Sequence, residues 1–242
     1  MLENGSNKVL FDPFFHSHFD TYTLVPEEIR QKIFQREKPF DGIKAIFISH
    51  SHGDHFSASD TFSYLQENPK VSLIAPQQAV DALLALDGAA QLKNPIFAIN
   101  LEFEQAAEAL ELDGIQVEAV RIPHAGWPQR SEVENMVYRL SFDDKTVVMH
   151  MGDADSDRKH YQAHQQHWDK KQTDLAFPPY WFYFSKQGND ILENIIKVKR
   201  SVGIHVPTVV PENLKQTGKD YFSIPGEKRI INMKQLEATP VN

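Results

Sequence analysis

The run His50-Ser51-His52-Gly53-Asp54-His55 packs four potential metal donors into six positions. His50 and His52 alternate, so an extended backbone sends both rings to one side. Asp54 and His55 follow Gly53, which lets the chain turn, and the two donor pairs can then aim at two adjacent points. Imidazole and carboxylate donors suit zinc and similar divalent ions. The chain contains no cysteine, so thiolate ligands, disulfides and a cysteine nucleophile are excluded. It contains 11 histidines, and their placement decides which of them do chemistry.

Two metal ions need more donors than one loop offers. Three further candidates stand just beyond apolar strand-like runs: His124 after Val120-Arg121-Ile122-Pro123, Asp153 after Val147 to Gly152, and His205 within Gly203-Ile204-His205-Val206-Pro207. Asp12 closes the run Lys8-Val9-Leu10-Phe11 in the same way. Other histidines fit plainer roles. His16 and His18 read as a solvated loop that could flank a pocket, and His150 as a buttress to Asp153. His160, His164 and His167 fall at helical spacing and read as a solvent-facing stripe. Pro178 to Phe184 is the most aromatic stretch of the chain. It should form a pocket wall, with Tyr180 able to donate to a developing oxyanion. Trp127 could line the mouth.

The elements that must position these residues follow from patterning. Lys8–Phe11, Lys44–Ser49, Val71–Ala75, Ile115–Ile122, Leu175–Phe177 and Val202–Val206 read as strands. Ile115, Val117 and Ala119 alternate with Gln116 and Glu118, the signature of a half-exposed strand. Met136–Phe142 and Thr146–Met151 flank Asp143-Asp144 as a hairpin. Helices are expected over 26–34, from a Ser57 cap to Glu67, over 77–86, over 157–168 and over 190–200. Strands in succession with helices outside them favour two sheets packed face to face, with helices on both outer faces, in one domain spanning residues 1–242.

Bulk properties narrow the function. Net charge is −8 and 41% of residues are apolar. Lys197, Lys199 and Arg200 form the densest basic cluster, which fits a solvated helix face better than a phosphate-binding stripe. A small-molecule substrate is expected, and nucleic acid is not. No apolar run approaches the ~18 residues that cross a bilayer, so no membrane partner is expected. The opening residues lack a signal-peptide pattern, which points to the cytoplasm; a periplasmic or secreted location would require an N-terminal segment to have been removed.

Together these motifs resemble the metallo-β-lactamase superfamily. The hallmark H-x-H-x-D-H stands as His50-Ser51-His52-Gly53-Asp54-His55. Pro123-His124-Ala125-Gly126 matches the downstream histidine, His150-Met151-Gly152-Asp153 the bridging aspartate, and His205 the last histidine. The resemblance implies an αββα sandwich of two mixed sheets and a two-metal site. It implies His50, His52 and His124 on one ion, Asp54, His55 and His205 on the other, and Asp153 between them. It gives Asp12 a supporting role outside the ligands, and Asp54 a second one, orienting the nucleophile. Zinc is the first expectation, with manganese or iron accepted by the same donors.

Such families usually open with a strand ahead of the Lys8–Phe11 equivalent, and here that strand is expected to be missing or removed. The missing cysteine excludes the antibiotic-hydrolysing branches that use a cysteine ligand, leaving the lactonase-like hydrolases as the nearest match. Cleavage of a small ester, lactone or amide is the leading expectation. A phosphodiesterase or nuclease of the same fold, a redox di-iron protein and a non-catalytic metal-binding protein are its rivals.

Overall fold

The computed structural model describes residues 1–143 and 146–232. Two mixed sheets carry the fold. The first holds β1 (Leu2–Asn4), β2 (Asn7–Phe11), β3 (Ile43–Phe47), β4 (Ser72–Pro76) and β5 (Ile96–Ile99), in that spatial order. β1 and β2 pair antiparallel, and the remaining neighbours are parallel. The second holds β6 (Glu108–Leu112), β7 (Ile115–Arg121), β8 (Met136–Ser141), β9 (Val147–His150), β10 (Leu175–Phe177) and β11 (Arg200–Ser201), also in sequence order. Its first four strands run antiparallel and its last three parallel. Parallel neighbours need crossovers, and helices supply them. On the first sheet these are α1 (Glu27–Phe34), α2 (Ala58–Glu67) and α3 (Gln77–Leu84). On the second they include α4 (Arg158–Gln162), α5 (Gln165–Trp168) and α6 (Lys186–Asp190), which leads into a π-helical turn at Ile191–Ile195.

Three apolar layers result. Val9, Ala45, Phe47 and Ile74 of the first sheet face Val117, Ala119, Tyr138 and Leu140 of the second across a continuous core. Outside the first sheet, Ile46, Ile48 and Leu73 pack on Tyr64, Leu65, Val80 and Leu83. Outside the second, Val120, Val137 and Met149 pack on Tyr161, Trp168, Phe182 and Ile195. This is the expected αββα layering. The alternation in β7 now has its cause: odd positions enter the inter-sheet core, while Glu118 turns outward to pair with Arg139 at 2.8 Å. The cap is also as expected, Ser57 accepting from the Asp60 N–H at 3.3 Å, a contact worth ~1 kcal/mol to α2.

Several expectations need correction. The opening strand is present: Leu2–Asn4 pairs with Asn7–Val9 around a turn at Gly5, whose φ is +60°. It is only three residues long, too short for an alternation pattern to reveal it. β5 and β6, both missed, are short and only partly buried. The helix expected over 157–168 breaks in two at His164, whose φ of −106° and ψ of 18° leave the helical region. His164 and His167 are buried there, not aligned toward solvent. The helix expected over 190–200 begins earlier, at Lys186, and ends in the π turn. No strand forms over the expected 202–206: β11 ends before it, at Ser201, and beyond it only isolated bridges remain, Gly203 to Tyr221 and Ile204 to Pro179. Beyond it a short helix forms, α7 (Glu212–Gln216). The β8–β9 hairpin forms, with Asp143 accepting from the Thr146 N–H; Asp144 lies outside the described residues.

Candidate metal centre

Loops leaving one end of both sheets converge on a single site. β2 delivers Asp12, β3 the His50–His55 run, β7 His124, β9 Asp153, and the chain after β11 His205. Two cross-sheet contacts clamp that end: the Met136 N–H donates to the Ser49 carbonyl at 2.8 Å, and the Tyr138 hydroxyl to the Ile48 carbonyl at 2.9 Å.

The structure brings all seven expected donors together, in two groups. His50, His52 and His124 present ligand atoms within 4.8 Å of one another, and so do Asp54, His55, Asp153 and His205. Asp153 reaches toward both groups. Its Oδ1 lies 3.2 Å from His55 Nε2, and its Oδ2 lies 3.5 Å from His124 Nε2 and 3.3 Å from His205 Nε2. Asp54 Oδ2 lies 3.4 Å from His205 Nε2.

Outer contacts set which nitrogen each ring presents. His55 Nδ1 bonds Asp12 Oδ2 at 2.8 Å, His50 Nδ1 bonds Ser49 Oγ at 3.1 Å, and His124 Nδ1 bonds the Ala125 carbonyl at 2.7 Å. Each ring is thereby oriented with Nε2 inward, the arrangement typical of metal-binding histidines. Asp12 is itself fixed by Ser49, which gives it a backbone N–H at 2.7 Å and a hydroxyl at 2.6 Å. The inner atoms remain unspent: Nε2 of His50, His55 and His124, with Oδ1 of Asp54 and Asp153, is buried without a hydrogen-bond partner. Buried polar atoms are normally satisfied, so five orphans converging on one volume fit a cation better than any other occupant.

Electrostatics point the same way. Burial pushes His50 well below the usual imidazole range, and burial also lowers His52, so both rings are neutral donors at neutral pH. Burial would raise Asp153, but His55 and His205 outweigh it and hold that carboxyl well below its usual range. Burial would likewise depress His55, yet the carboxylates of Asp153 and Asp12 hold it well above its usual range. A protonated His55 therefore carries positive charge in a place where a metal would.

Backbone geometry shows where the chain is forced. Asp12 and His205 adopt φ of +43° and +59°, unusual for residues other than glycine and common where a site holds strain. Gly152 has φ +55°, and a Cβ there would meet Asn135 Oδ1 at 2.5 Å and Ser49 Cβ at 2.7 Å. Gly53 was expected to serve a sharp turn, but its φ is not positive. Its carbonyl instead accepts from the N–H groups of His16 and Ser17, and a Cβ would press on Ser17 at 3.3 Å. The turn itself is made by the His52 carbonyl, which accepts from the N–H groups of His55 and Phe56.

Patterning missed some contributors. Asn135 is fully buried; its Oδ1 accepts from the Asp153 N–H at 2.9 Å, and its Nδ2 donates to the Ile122 and Met151 carbonyls at 3.3 Å. It therefore ties the strands that deliver His124 and Asp153. Tyr22 stands edge-on to His205 at 4.1 Å. Nothing in the local sequence marks either residue, since each acts on a partner far along the chain.

The remaining expected residues fall as follows. Tyr180 is half-buried near the centre, its phenol raised by burial and by the Asp153 charge. Trp181 lies 5.6 Å from His205. Trp127 instead packs on Phe103 and His160, lining a 260 Å³ cavity behind the His124 loop. His150 stacks on Phe11 at 4.4 Å, and burial takes it down to about 4. His16 lies 3.1 Å from Asp60, while His18 lines a 630 Å³ cleft bounded by Tyr22, Pro207 and Thr208.

Fold and site define a class, and comparison with known proteins agrees. The family model described as the β-lactamase superfamily domain matches residues 7–184, and the chain belongs to that superfamily. It is similar to Protein Rv0786c of Mycobacterium tuberculosis, at 30% identity over 158 residues. That match covers 64% of this chain and 59% of the relative. Among solved structures, the metallo-β-lactamase fold protein YhfI from Bacillus subtilis superposes with TM-score 0.58 at 13% identity, covering 91% of this chain and 85% of that one. The isothiocyanate hydrolase from Delia radicum gut bacteria gives TM-score 0.54 at 10% identity, covering 90% and 87%. At these identities the two structures speak to the fold.

Proposed function

We propose that the seven donors hold two divalent ions, zinc foremost, and that the protein is a hydrolase of small esters, lactones or amides. The observation that carries this reading is the position of Asp153. Its two oxygens reach histidines of both groups while Oδ1 lacks a hydrogen-bond partner, as a carboxylate shared between two cations requires. His50, His52 and His124 would hold one ion, and Asp54, His55 and His205 the other. Bound there, two divalent ions supply Lewis acidity and bring the pKa of water down toward ~7.

The chain's own residues do the rest. Asp54 keeps Oδ1 unpaired beside the donor group and can accept the proton of an attacking water, orienting it. Asp12 and Ser49 hold His55 and His50 against rotation. Tyr180 stays protonated at neutral pH and can donate to the oxyanion that forms on the scissile carbonyl. No helix among the described residues is long and apolar enough to cross a membrane.

The test is a panel of p-nitrophenyl esters, γ-lactones and amides offered to zinc-loaded protein and to D54N. Turnover of at least one class, lost on chelation and reduced at least ~100-fold in D54N, supports the reading. Equal turnover by D54N would remove Asp54 from the reaction.

A further inference from the structure

The 260 Å³ cavity behind the His124 loop is lined by none of the seven donors. Its walls include Phe103, Arg121, Pro123, Trp127, Lys159 and His160. One side is aromatic. Phe103 meets Trp127 edge-on with ring centroids 4.7 Å apart, and Trp127 meets His160 edge-on at 5.6 Å. Such rings, with Pro123 beside them, favour a flat apolar body. The volume is small, about right for one ring with a short substituent.

The polar wall is a buried cation short of an anion. Arg121, at the end of β7, is only 9% exposed, and its guanidinium lies 4.2 Å over the Phe103 ring. Nη1 donates to the Leu101 carbonyl at 2.9 Å and Nη2 to the Ser131 carbonyl at 3.4 Å, both neutral acceptors. Nε is buried without a hydrogen-bond partner. The carboxylate it meets, Glu102 at 4.0 Å, is 84% exposed and leaves most of the charge uncompensated. Glu104, also on the wall, is exposed as well. Arg139, equally buried, shows the contrast: Glu118 accepts from its Nε at 2.8 Å and from its Nη2 at 3.0 Å. A buried charge with neutral partners alone is costly, and a carboxylate fits the guanidinium fork. His160 adds a second buried atom without a partner, Nε2, which donates in its Nε2–H tautomer. Lys159 adds positive charge at the rim, shared with Asp157 at 2.9 Å.

We infer that this cavity is a second small-molecule site, apart from the metal centre, that takes a small aromatic carboxylate: the ring against Phe103 and Trp127, the carboxylate accepting from Arg121. Binding there needs no metal ion, so the inference stands or falls independently of the hydrolase reading.

Isothermal titration with benzoate, with neutral benzamide and with acetate reads the site directly, in zinc-loaded and in chelator-treated protein. Benzoate should bind one per chain in both forms, in preference to benzamide, which lacks the charge, and to acetate, which lacks the ring. R121M should bind benzoate roughly tenfold or more weakly, the scale of a lost charge-assisted pair, with R121K intermediate. W127A, which removes a half-buried wall residue, should weaken benzoate ~3- to 10-fold and leave acetate unchanged. Circular dichroism checks that each variant folds, and W127A alone decides if R121M does not. Benzoate binding that vanishes with the metal would assign the carboxylate to the metal centre and overturn the cavity. So would a wild type that binds no benzoate, or folded variants that bind it as the wild type does.

Discussion

Two sets of histidines in this molecule look alike in sequence and differ in kind. His50, His52, His55, His124 and His205 come from three separate loops, and the Nε2 atoms of three of them are buried without partners beside two carboxylates. His160, His164 and His167 come from one stretch at helical spacing, and among the described residues no metal-holding group includes them. His167 sits 3.7 Å from Glu118 and packs on Trp168, beside the buried Arg139–Glu118 pair. Both His160 and His167 leave an Nε2 unsatisfied, so a buried orphan alone does not make a metal site. What separates the two sets is convergence of several such atoms, with ionised carboxylates among them.

Substitutions can break that distinction, and the largest effect should come from the shared carboxylate. D153A should lower zinc content to one ion per chain or fewer and cut turnover by ~1000-fold or more, with the fold retained by circular dichroism. H160A, the contrasting variant, should keep its full metal content. Next in size is the supporting layer: D12N or N135A should weaken metal affinity ~10- to 100-fold, read by competition with a chelating dye. D12N removes the charge that orients His55, and N135A frees the turn that presents Asp153.

Two further predictions concern protons. His55 in the metal-free protein has a pKa well above the usual 6.5, so it is protonated at neutral pH and must lose that proton to offer Nε2 to a metal. Zinc binding at pH 7 should release at least one proton per chain, measured by calorimetry in buffers of different ionisation enthalpy, and H55Q should lower that release by about one proton. The other set behaves oppositely. Burial, with the Arg139 charge adding to it, holds His167 down to about 4. Its unfolded form, near 6.5, takes up a proton first as pH falls. Stability should therefore decline between about pH 6.5 and 4, with a slope of up to ~1.4 kcal/mol per pH unit from this group. Urea unfolding of H167Q should show a shallower decline over that window.

Much of the centre was legible because its donors follow strands. An apolar run ending in a polar donor is visible in the sequence at His50, His124 and Asp153, and the resemblance joined them into a set. The layering was legible for the same reason, through the alternation of β7 and the apolar runs of β3 and β10. Residues whose roles depend on distant partners were not. Asn135 acts on Asp153, 18 positions away, and Tyr22 acts on His205 from the other sheet's loops. Periodicity also misled at residues 157–168. The helical spacing of three histidines was real, but Tyr161 and Trp168 packed inward and the helix broke at His164 to let them. Short edge strands such as β1 and β6 offer too few buried positions for a pattern to stand out.

The mechanism turns on two ions sharing Asp153, and titrating metal-stripped protein with zinc while counting bound ions per chain, in wild type and D153A, reads that sharing out. Two ions in the wild type, with the second lost in D153A, is the expected result. A wild type that saturates below one ion per chain, or a D153A variant that still binds two with unchanged affinity, would contradict it.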